Sequence, residues 1–241
     1  MTGRRLSRRG FVWGGASAVA LAGCDLIEFA KNPVINFQLP PQTYTFRTDD
    51  PMWQQPPDLF SAKIACTTAA GCCAPPEAAG MQLPGCTVPP VVCETGTCGI
   101  AFPLNVVQAV DLAKDSPSLA GMGGKVFSEM TLLSLEYQIN NMVGVDLPPV
   151  KLYIAPSGTT TVTGAGVQQI GETPAAPADM TTHESRDTSA DARQAFAALA
   201  KDLSKPFNFI AAANISVLSG KLPRRPGQVD LIIKGTISAK L

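Results

Sequence analysis

The residues of this chain best suited to chemistry are six cysteines that lie in one stretch rich in proline and glycine. They are Cys66, Cys72, Cys73, Cys86, Cys93 and Cys98. An even number of cysteines in a segment with few large apolar residues is typical of a disulfide framework, in which each bridge adds about 2–4 kcal/mol. We therefore predict three disulfides, and the sequence leaves all of the roughly fifteen pairings open.

Two other kinds of chemistry are open to the same cysteines. A metal or iron–sulfur site needs ligands at characteristic spacings, but the gaps here are 5, 0, 12, 6 and 4 residues, with no C-x-x-C pair. Cys72 and Cys73 could form a redox-active vicinal disulfide, although the strain of that ring makes adjacent cysteines bridge outward more often. The spacing favours structural bridges, so we predict no metal and no cofactor.

Candidate catalytic groups are few. His183 is the only histidine, which excludes a His-dependent triad or a site with several histidine ligands within one chain. The nearest approach to paired carboxylates is Asp49–Asp50 and the pair Asp111 and Asp115. Closeness in sequence does not place two carboxyl groups across a cleft. We predict no catalytic residue and no enzyme activity.

Aromatic residues offer one further candidate site. Trp53, with Tyr44 and Phe46, could form a platform for a sugar ring. Aromatic residues at the end of a strand more often close the core. A glycan or an envelope protein therefore stays open as the partner.

The first 24 residues divide as an export signal does. Residues 1–10 carry four arginines and no acid, residues 11–21 are uncharged and mostly apolar, and small residues precede Cys24. Eleven helical residues rise only about 16 Å, half of a bilayer core, so this stretch cannot be a permanent membrane span. We predict a cleaved signal peptide over residues 1–23.

Leu21, Ala22, Gly23 and Cys24 resemble the lipobox of bacterial lipoprotein signals, Leu-Ala/Ser-Gly/Ala-Cys, at every position. The resemblance implies that Cys24 receives a diacylglyceryl thioether and becomes the acylated first residue after cleavage. Two or more acyl chains hold a protein durably on a membrane, whereas a single chain holds it only marginally. The alternative is an ordinary signal peptide cut after Gly23, with Cys24 as an incidental thiol.

Arg8, Arg9 and Phe11 resemble the signature residues of the twin-arginine export motif, Ser/Thr-Arg-Arg-x-Phe-Leu-Lys. The chain departs from the motif at Val12 and Trp13, where that family prefers Leu and Lys. The alternative is a general secretory signal with an arginine-rich start. The resemblance implies export of a folded protein, so the mature domain would fold before it meets an oxidising compartment.

The chain that remains after residues 1–23 are removed is mildly acidic. It keeps 15 Lys and Arg against 19 Asp and Glu, which argues against binding to nucleic acid. Residues 24–33 would form a lipidated tether that, fully extended, spans about 30 Å. The folded domain would therefore lie close to a bacterial membrane outside the cytoplasm, and the sequence does not decide between the inner and the outer membrane.

Alternation of apolar and polar residues predicts the strands. They are 35–39, 44–46, 106–112, 133–139, 150–154, 159–163, 207–217 and 229–241. Half-buried strands of this kind fit two antiparallel sheets packed face to face. We predict an all-β fold, an antiparallel β-sandwich over residues 34–241 with a disulfide-rich loop insert over residues 62–99.

One short amphipathic helix is predicted over residues 189–204. Thr188 and Asp191 have the spacing of a capping box, and apolar residues follow at helical intervals. The helix would cover one end of the sandwich or, alternatively, bind a partner. Residues 171–187, rich in Pro, Ala and Thr, are predicted to form a mobile surface loop.

The strand order of residues 100–241 is faintly similar to that of small envelope lipoproteins with a late-embryogenesis-abundant type 2-like or immunoglobulin-like sandwich. This similarity is a fold analogy and carries no site residues. We expect a lipid-anchored envelope protein that acts as a non-enzymatic binding or structural accessory module. The alternatives are a carrier of an apolar ligand between the sheets and a metalloprotein loaded in the cytoplasm.

Overall fold

The computed structural model describes residues 34–49, 62–72, 91–116, 127–202, 205–221, 223 and 226–240. The predicted signal peptide and tether, residues 1–33, lie outside this part of the chain. Within it, Val34–Leu241 forms one compact unit. No helix among the described residues is long and apolar enough to cross a membrane.

Ten strands and two α-helices make up the described chain. The strands are β1 Val34–Gln38, β2 Gln42–Arg47, β3 Val91–Glu94, β4 Thr97–Val110, β5 Glu129–Asn141, β6 Lys151–Pro156, β7 Gln168–Glu172, β8 Thr181–Asp187, β9 Phe207–Leu218 and β10 Gln228–Lys240. The helices are α1 Leu112–Asp115 and α2 Ala190–Ala200, and a single 3₁₀ turn spans Ala70–Cys72.

The strands form two antiparallel five-stranded sheets. In the first sheet the order is β1-β10-β5-β8, and β2 pairs with the same edge of β10 as β1 does, one after the other along the strand. The order of the second sheet is β3-β4-β9-β6-β7. The predicted fold class, an all-β antiparallel sandwich with one short amphipathic helix, is confirmed.

Period-two burial explains why the sheets pack face to face. Every second residue of β10, from Val229 to Ala239, is buried, and the residues between them are partly exposed. Burying one apolar face of each strand removes that face from water, which is the main favourable term in folding. The core therefore lies between the two sheets.

Helix α2 covers one side of this core. It packs against β5, β6 and β7, and its fully buried Phe196 meets Phe207 edge to face with ring centroids 5.9 Å apart. The helix begins at the N-cap Ser189, whose side chain accepts a hydrogen bond from the Ala192 amide. The prediction that the helix covers the sandwich is consistent with this packing.

Three sequence-based expectations about the elements are wrong in detail. Thr188 is not the N-cap, because its hydroxyl donates instead to the carbonyls of Leu132 and Leu133. Helix α2 ends at Ala200 rather than at residue 204. Residues 171–187 are not a loop throughout, since they contain the end of β7 and all of β8.

The predicted strand over residues 159–163 is a turn. Gly158 and Gly166 have φ values of +90° and +76°, which L side chains rarely adopt. The turn is closed by side chains of the second sheet: the Asn208 and Asn105 amides donate to the carbonyls of Thr159 and Thr160, both at 2.9 Å.

Candidate functional site

The structure contains two disulfides in the predicted cysteine-rich insert. Cys66 bonds to Cys93 with a Cα–Cα distance of 5.9 Å, and Cys72 bonds to Cys98 with a Cα–Cα distance of 5.4 Å. Two bridges of the predicted disulfide framework are therefore present. The other cysteines predicted to take part, Cys73 and Cys86, lie outside the described residues.

The bridges join one irregular segment to one hairpin. Cys93 on β3 and Cys98 on β4 are register partners across this hairpin. Each bonds to a cysteine of residues 62–72 instead of to the other. The predicted loop insert is therefore not a loop throughout, because its residues 91–99 belong to a hairpin of the second sheet.

Backbone hydrogen bonds also hold the irregular segment on the hairpin. The Cys98 amide donates to the Ile64 carbonyl at 2.8 Å, and the Cys66 amide donates to the Gly96 carbonyl at 3.1 Å. The Ile64 amide donates to the Ser219 hydroxyl at 2.8 Å. These bonds position the two segments next to each other independently of the sulfur atoms.

The sulfur chemistry of this region is structural. The Sγ atoms of Cys66, Cys72 and Cys98 lie within 4.8 Å of one another, and Cys72 and Cys98 are 0% exposed. Sulfurs bonded to each other are not thiolates, which are the form that binds metals and attacks disulfides. The bond from Cys72 to Cys98 also leaves Cys72 no bond to Cys73, so the vicinal redox pair is not formed.

The paired carboxylates Asp111 and Asp115 cap helix α1. The Asp111 side chain accepts a hydrogen bond from the Lys114 amide at 3.2 Å, and the Asp115 carboxylate accepts one from the Asp111 amide at 2.8 Å. This reciprocal arrangement is a capping box. The carboxylates therefore face backbone amides rather than a substrate cleft.

The lone histidine lies on an edge strand. His183 is exposed on β8 and pairs in register with Gln138 of β5. Its strand lies within the predicted mobile loop, residues 171–187, and that prediction is wrong for β8, which is hydrogen-bonded into the first sheet. Solvent exposure on a sheet edge is an ordinary position for a polar side chain.

The proposed aromatic platform is not formed by Tyr44. Tyr44 is 2% exposed and points into the core, where burial raises the pKa of its phenol well above the ordinary value. Among the described residues its hydroxyl has no hydrogen-bond partner. Trp53 and Asp50 lie outside the described residues.

A small apolar cavity lies between the two sheets, where β5 ends and β10 begins. Its volume is about 30 Å³. Both sheets and the chain after β5 contribute to its lining, which is Phe46, Arg47, Thr48, Leu104, Ile139, Val143, Val145, Leu147, Pro148, Val150, Ala213, Ile215, Pro223, Val229 and Leu231. Arg47 is the only charged residue of this lining.

One buried amide holds the chain that forms the rim of the cavity, residues 141–148. Asn141 is 0% exposed, and its side-chain nitrogen donates to the carbonyls of Val145, Ala176 and Pro177 at 2.8, 3.1 and 3.0 Å. Its side-chain oxygen accepts from the Val143 amide at 3.2 Å. No sequence pattern distinguishes Asn141 for this role, since Asn140 beside it is the same residue type.

An open recess of about 320 Å³ adjoins the cavity. The two share Arg47, and the recess is otherwise lined by Asp49, Met142, Pro226, Gly227 and Gln228. A cation, an anion and a backbone segment therefore line an open recess beside an apolar space. Arg47 was not among the predicted site residues, because its only signal in the sequence is a charge directly after the alternating residues of β2.

No protein-family model and no curated protein matches this chain. Similar solved structures include the decameric BFDV capsid protein, 9% identical over 86% of this chain and 99% of that chain, with a TM-score of 0.39. A Desmodium yellow mottle tymovirus structure is 10% identical over 100% of this chain and 95% of that chain, with a TM-score of 0.29. Likenesses this weak carry neither family nor function to this chain.

Proposed function

We propose that this chain is a lipid-anchored protein of a bacterial envelope that acts as a non-enzymatic binding or structural accessory module. The observation that carries the proposal is the lipobox that ends at Cys24. Strand β1 begins at Val34, so a lipid on Cys24 would hold the sandwich within about 30 Å of the bilayer surface.

The two disulfides support a location outside the cytoplasm. Disulfides form and persist in oxidising compartments and are rare where cellular thiols keep cysteines reduced. The Cys72–Cys98 bridge is buried at both ends, as expected of a permanent bridge rather than a catalytic one.

The positions of the polar groups support a role without catalysis. Among the described residues, the candidate groups have structural or solvent-exposed positions: Asp111 and Asp115 cap a helix, and His183 lies on a sheet edge. Acid–base or nucleophilic catalysis needs such groups within hydrogen-bond reach of each other in a concave site.

The size of the cavity favours a binding module over a lipid carrier. Pockets that bind small molecules usually measure about 300–1,000 Å³, and the apolar space between the sheets measures about 30 Å³. A space of this size admits one small apolar group but not a fatty acyl chain.

Intact mass tests the anchor. The wild-type chain and the Cys24→Ser variant are expressed in a bacterium that processes lipoproteins, and membrane and soluble fractions are analysed by mass spectrometry. We expect wild-type protein in the membrane fraction, cut after Gly23 and heavier by a diacylglyceryl group, and we expect the variant to lack this modification. An unmodified, soluble wild-type polypeptide would overturn the proposal.

The export route is tested with paired lysine substitutions. Replacing Arg8 and Arg9 together with lysine keeps the charge and should abolish twin-arginine export, whereas the same change at Arg4 and Arg5 is the matched control. Equal export of both variants would assign the chain to the general secretory route and leave the lipid anchor standing.

The absence of catalysis is tested by a turnover screen of the purified protein against esters, glycosides and peptides. We expect no turnover above that of a heat-denatured sample. Turnover that disappears on a single side-chain substitution would contradict a non-enzymatic role.

A further inference from the structure

We propose that the cavity and its recess are the docking surface for a peptide segment of a partner protein, which inserts one aliphatic side chain between the sheets. This inference rests on the proposed function as a binding module and names its site and the chemistry of its partner.

The cavity determines which side chain of the partner segment can insert. Its lining is apolar apart from Arg47 and Thr48, so a polar group entering it would lose hydrogen bonds to water without replacement. Its volume of about 30 Å³ suits part of a Leu, Ile, Val or Met side chain. Protein interfaces depend on a few anchors of this kind, seated in pockets that exclude water.

The recess determines what flanks the anchor. Arg47 and Asp49 are both exposed and line the same open space. The hydrogen bond from Arg47 Nε to the Gln228 side chain, 3.4 Å long, uses one of the five donors of a guanidinium group. A segment with an acidic and a basic residue close to its aliphatic anchor would complement both charges.

The backbone around the cavity and the recess is held by hydrogen bonds within the chain, without a partner. Thr48 and Gly227 exchange hydrogen bonds, with the Gly227 amide donating to the Thr48 hydroxyl at 2.8 Å and the Thr48 amide donating to the Gly227 carbonyl at 3.0 Å. Asn141 holds the rim, residues 141–148. A site that is already ordered loses little conformational entropy on binding.

An exposed methionine marks the same surface. Met142 lines the recess and is 46% exposed, next to the fixed Asn141. Methionine is unbranched and polarisable, so it adapts to irregular apolar contacts and is common at binding surfaces. It would cover the stem of the inserted side chain.

The test uses a library of displayed 12-residue peptides selected on the purified full chain. Selected peptides are then measured by fluorescence polarisation against variants. Ala213→Leu fills the cavity, because Ala213 lines it, and Ala212→Leu is the matched control on the outward face of β9. Val145→Phe fills the cavity from the rim and serves as a second variant should Ala213→Leu fail to fold.

We expect the selected peptides to share one aliphatic residue with an acid and a base within three positions. Filling the cavity should weaken their binding at least tenfold, and Ala212→Leu should leave it unchanged. Arg47→Gln and Asp49→Asn should each weaken binding about three- to tenfold, whereas Lys151→Gln, an exposed charge elsewhere, should have no effect.

Two results would overturn the inference. One is equal binding of the selected peptides by Ala213→Leu and Ala212→Leu. The other is failure to select peptides together with binding of lysophospholipid that the cavity-filling variants abolish, which would assign the space to a lipid. Neither result affects the intact-mass measurement of the chain modified at Cys24. Failure of the docking proposal can therefore be distinguished from failure of the proposed lipid anchor.

Discussion

The cysteine-rich insert and the cavity rim are two stretches of irregular chain that the fold holds by different means. The irregular segment at the start of the insert, residues 62–72, has Ile64 as its one large apolar residue and is joined to β3 and β4 by two disulfides. The rim, residues 141–148, buries Val143 and Leu147 in the core and is held by the amide of Asn141.

The difference shows what each segment lacks. A segment with few large side chains gains little from burial, and a covalent bridge compensates by restricting the unfolded chain. A segment that already packs on the core needs only its backbone groups satisfied, and one buried amide does so without a covalent bond.

The largest effect is expected from removing the buried bridge. Replacing Cys72 and Cys98 together with alanine should lower the free energy of unfolding by about 3–4 kcal/mol from loop entropy, and the lost packing of two buried sulfurs adds to this. Replacing Cys66 and Cys93 opens a loop of nearly the same length, 27 against 26 residues, but at partly exposed positions, so its effect should be smaller.

Urea unfolding of both double variants, without reductant, measures the difference. The wild-type chain and both variants in dithiothreitol are the control, since there the loop-entropy part of the difference should disappear and only the lost sulfur packing should remain. If the Cys66 and Cys93 variant loses more free energy of unfolding than the Cys72 and Cys98 variant, burial of the sulfurs does not increase the stabilisation that a disulfide provides.

The next effect is expected at the rim. Asn141→Ala removes the side chain that bonds buried carbonyl groups and the Val143 amide. This substitution should lower the free energy of unfolding by about 2–3 kcal/mol. Asn140→Ala is the matched control, because that side chain lies at the surface and accepts only from the Thr181 hydroxyl at 3.2 Å. Equal urea midpoints for the two variants would show that the amide does not hold the rim.

A smaller effect is expected at alkaline pH, and not in the insert. Tyr137 lies on β5, which leads into the rim, and burial raises its pKa from 10.0 to about 12. A pKa higher in the folded than in the unfolded state means full stability below pH 10 and loss as the pH rises towards 12. The insert, residues 62–99, contains no tyrosine.

Urea midpoints between pH 8 and pH 11.5 check this expectation. Tyr137→Phe should make the decline above pH 10 shallower, and the remaining decline should come from Tyr44, whose pKa burial also raises. An unchanged decline in Tyr137→Phe would place the alkaline sensitivity elsewhere.

The smallest effect is expected from Tyr44→Phe. The Tyr44 hydroxyl is buried and has no hydrogen-bond partner among the described residues, so its removal relieves a desolvated polar group. Thermal unfolding should show an unchanged or slightly higher midpoint. A clear loss of stability would mean that the hydroxyl has a partner, such as a water molecule.

The long strands could be predicted from the sequence because their burial has period two. The alternation is unbroken in β10 and shifts once within β5, whereas in β9 it appears only in the second half, because its first five residues are all buried. Strand β8 could not be predicted this way: it lies at a sheet edge, most of its residues are exposed, and the run from Thr181 to Asp187 is polar throughout. The sequence predicts a strand over residues 159–163 because threonine favours strands. The chain turns there instead because Gly158 and Gly166 have positive φ values.

The site was predictable only in part. The sequence predicts that the cysteines form bridges, but which cysteines pair depends on the hairpin register that places Cys93 beside Cys98. The cavity depends on how residues such as Phe46, Leu104 and Ala213, far apart in sequence, meet between two sheets. No local pattern encodes a gap between side chains.

The pairing of the first described strand with the last has a consequence for the time course of folding. Strand β1 lies along β10, so the first sheet cannot close until almost the whole chain has been synthesised. Contacts between residues so distant in sequence slow folding, because the entropy cost of closing the long loop between the two strands comes before any contact between them forms. A chain exported in the folded state would therefore have to wait in the cytoplasm until its last strand was in place.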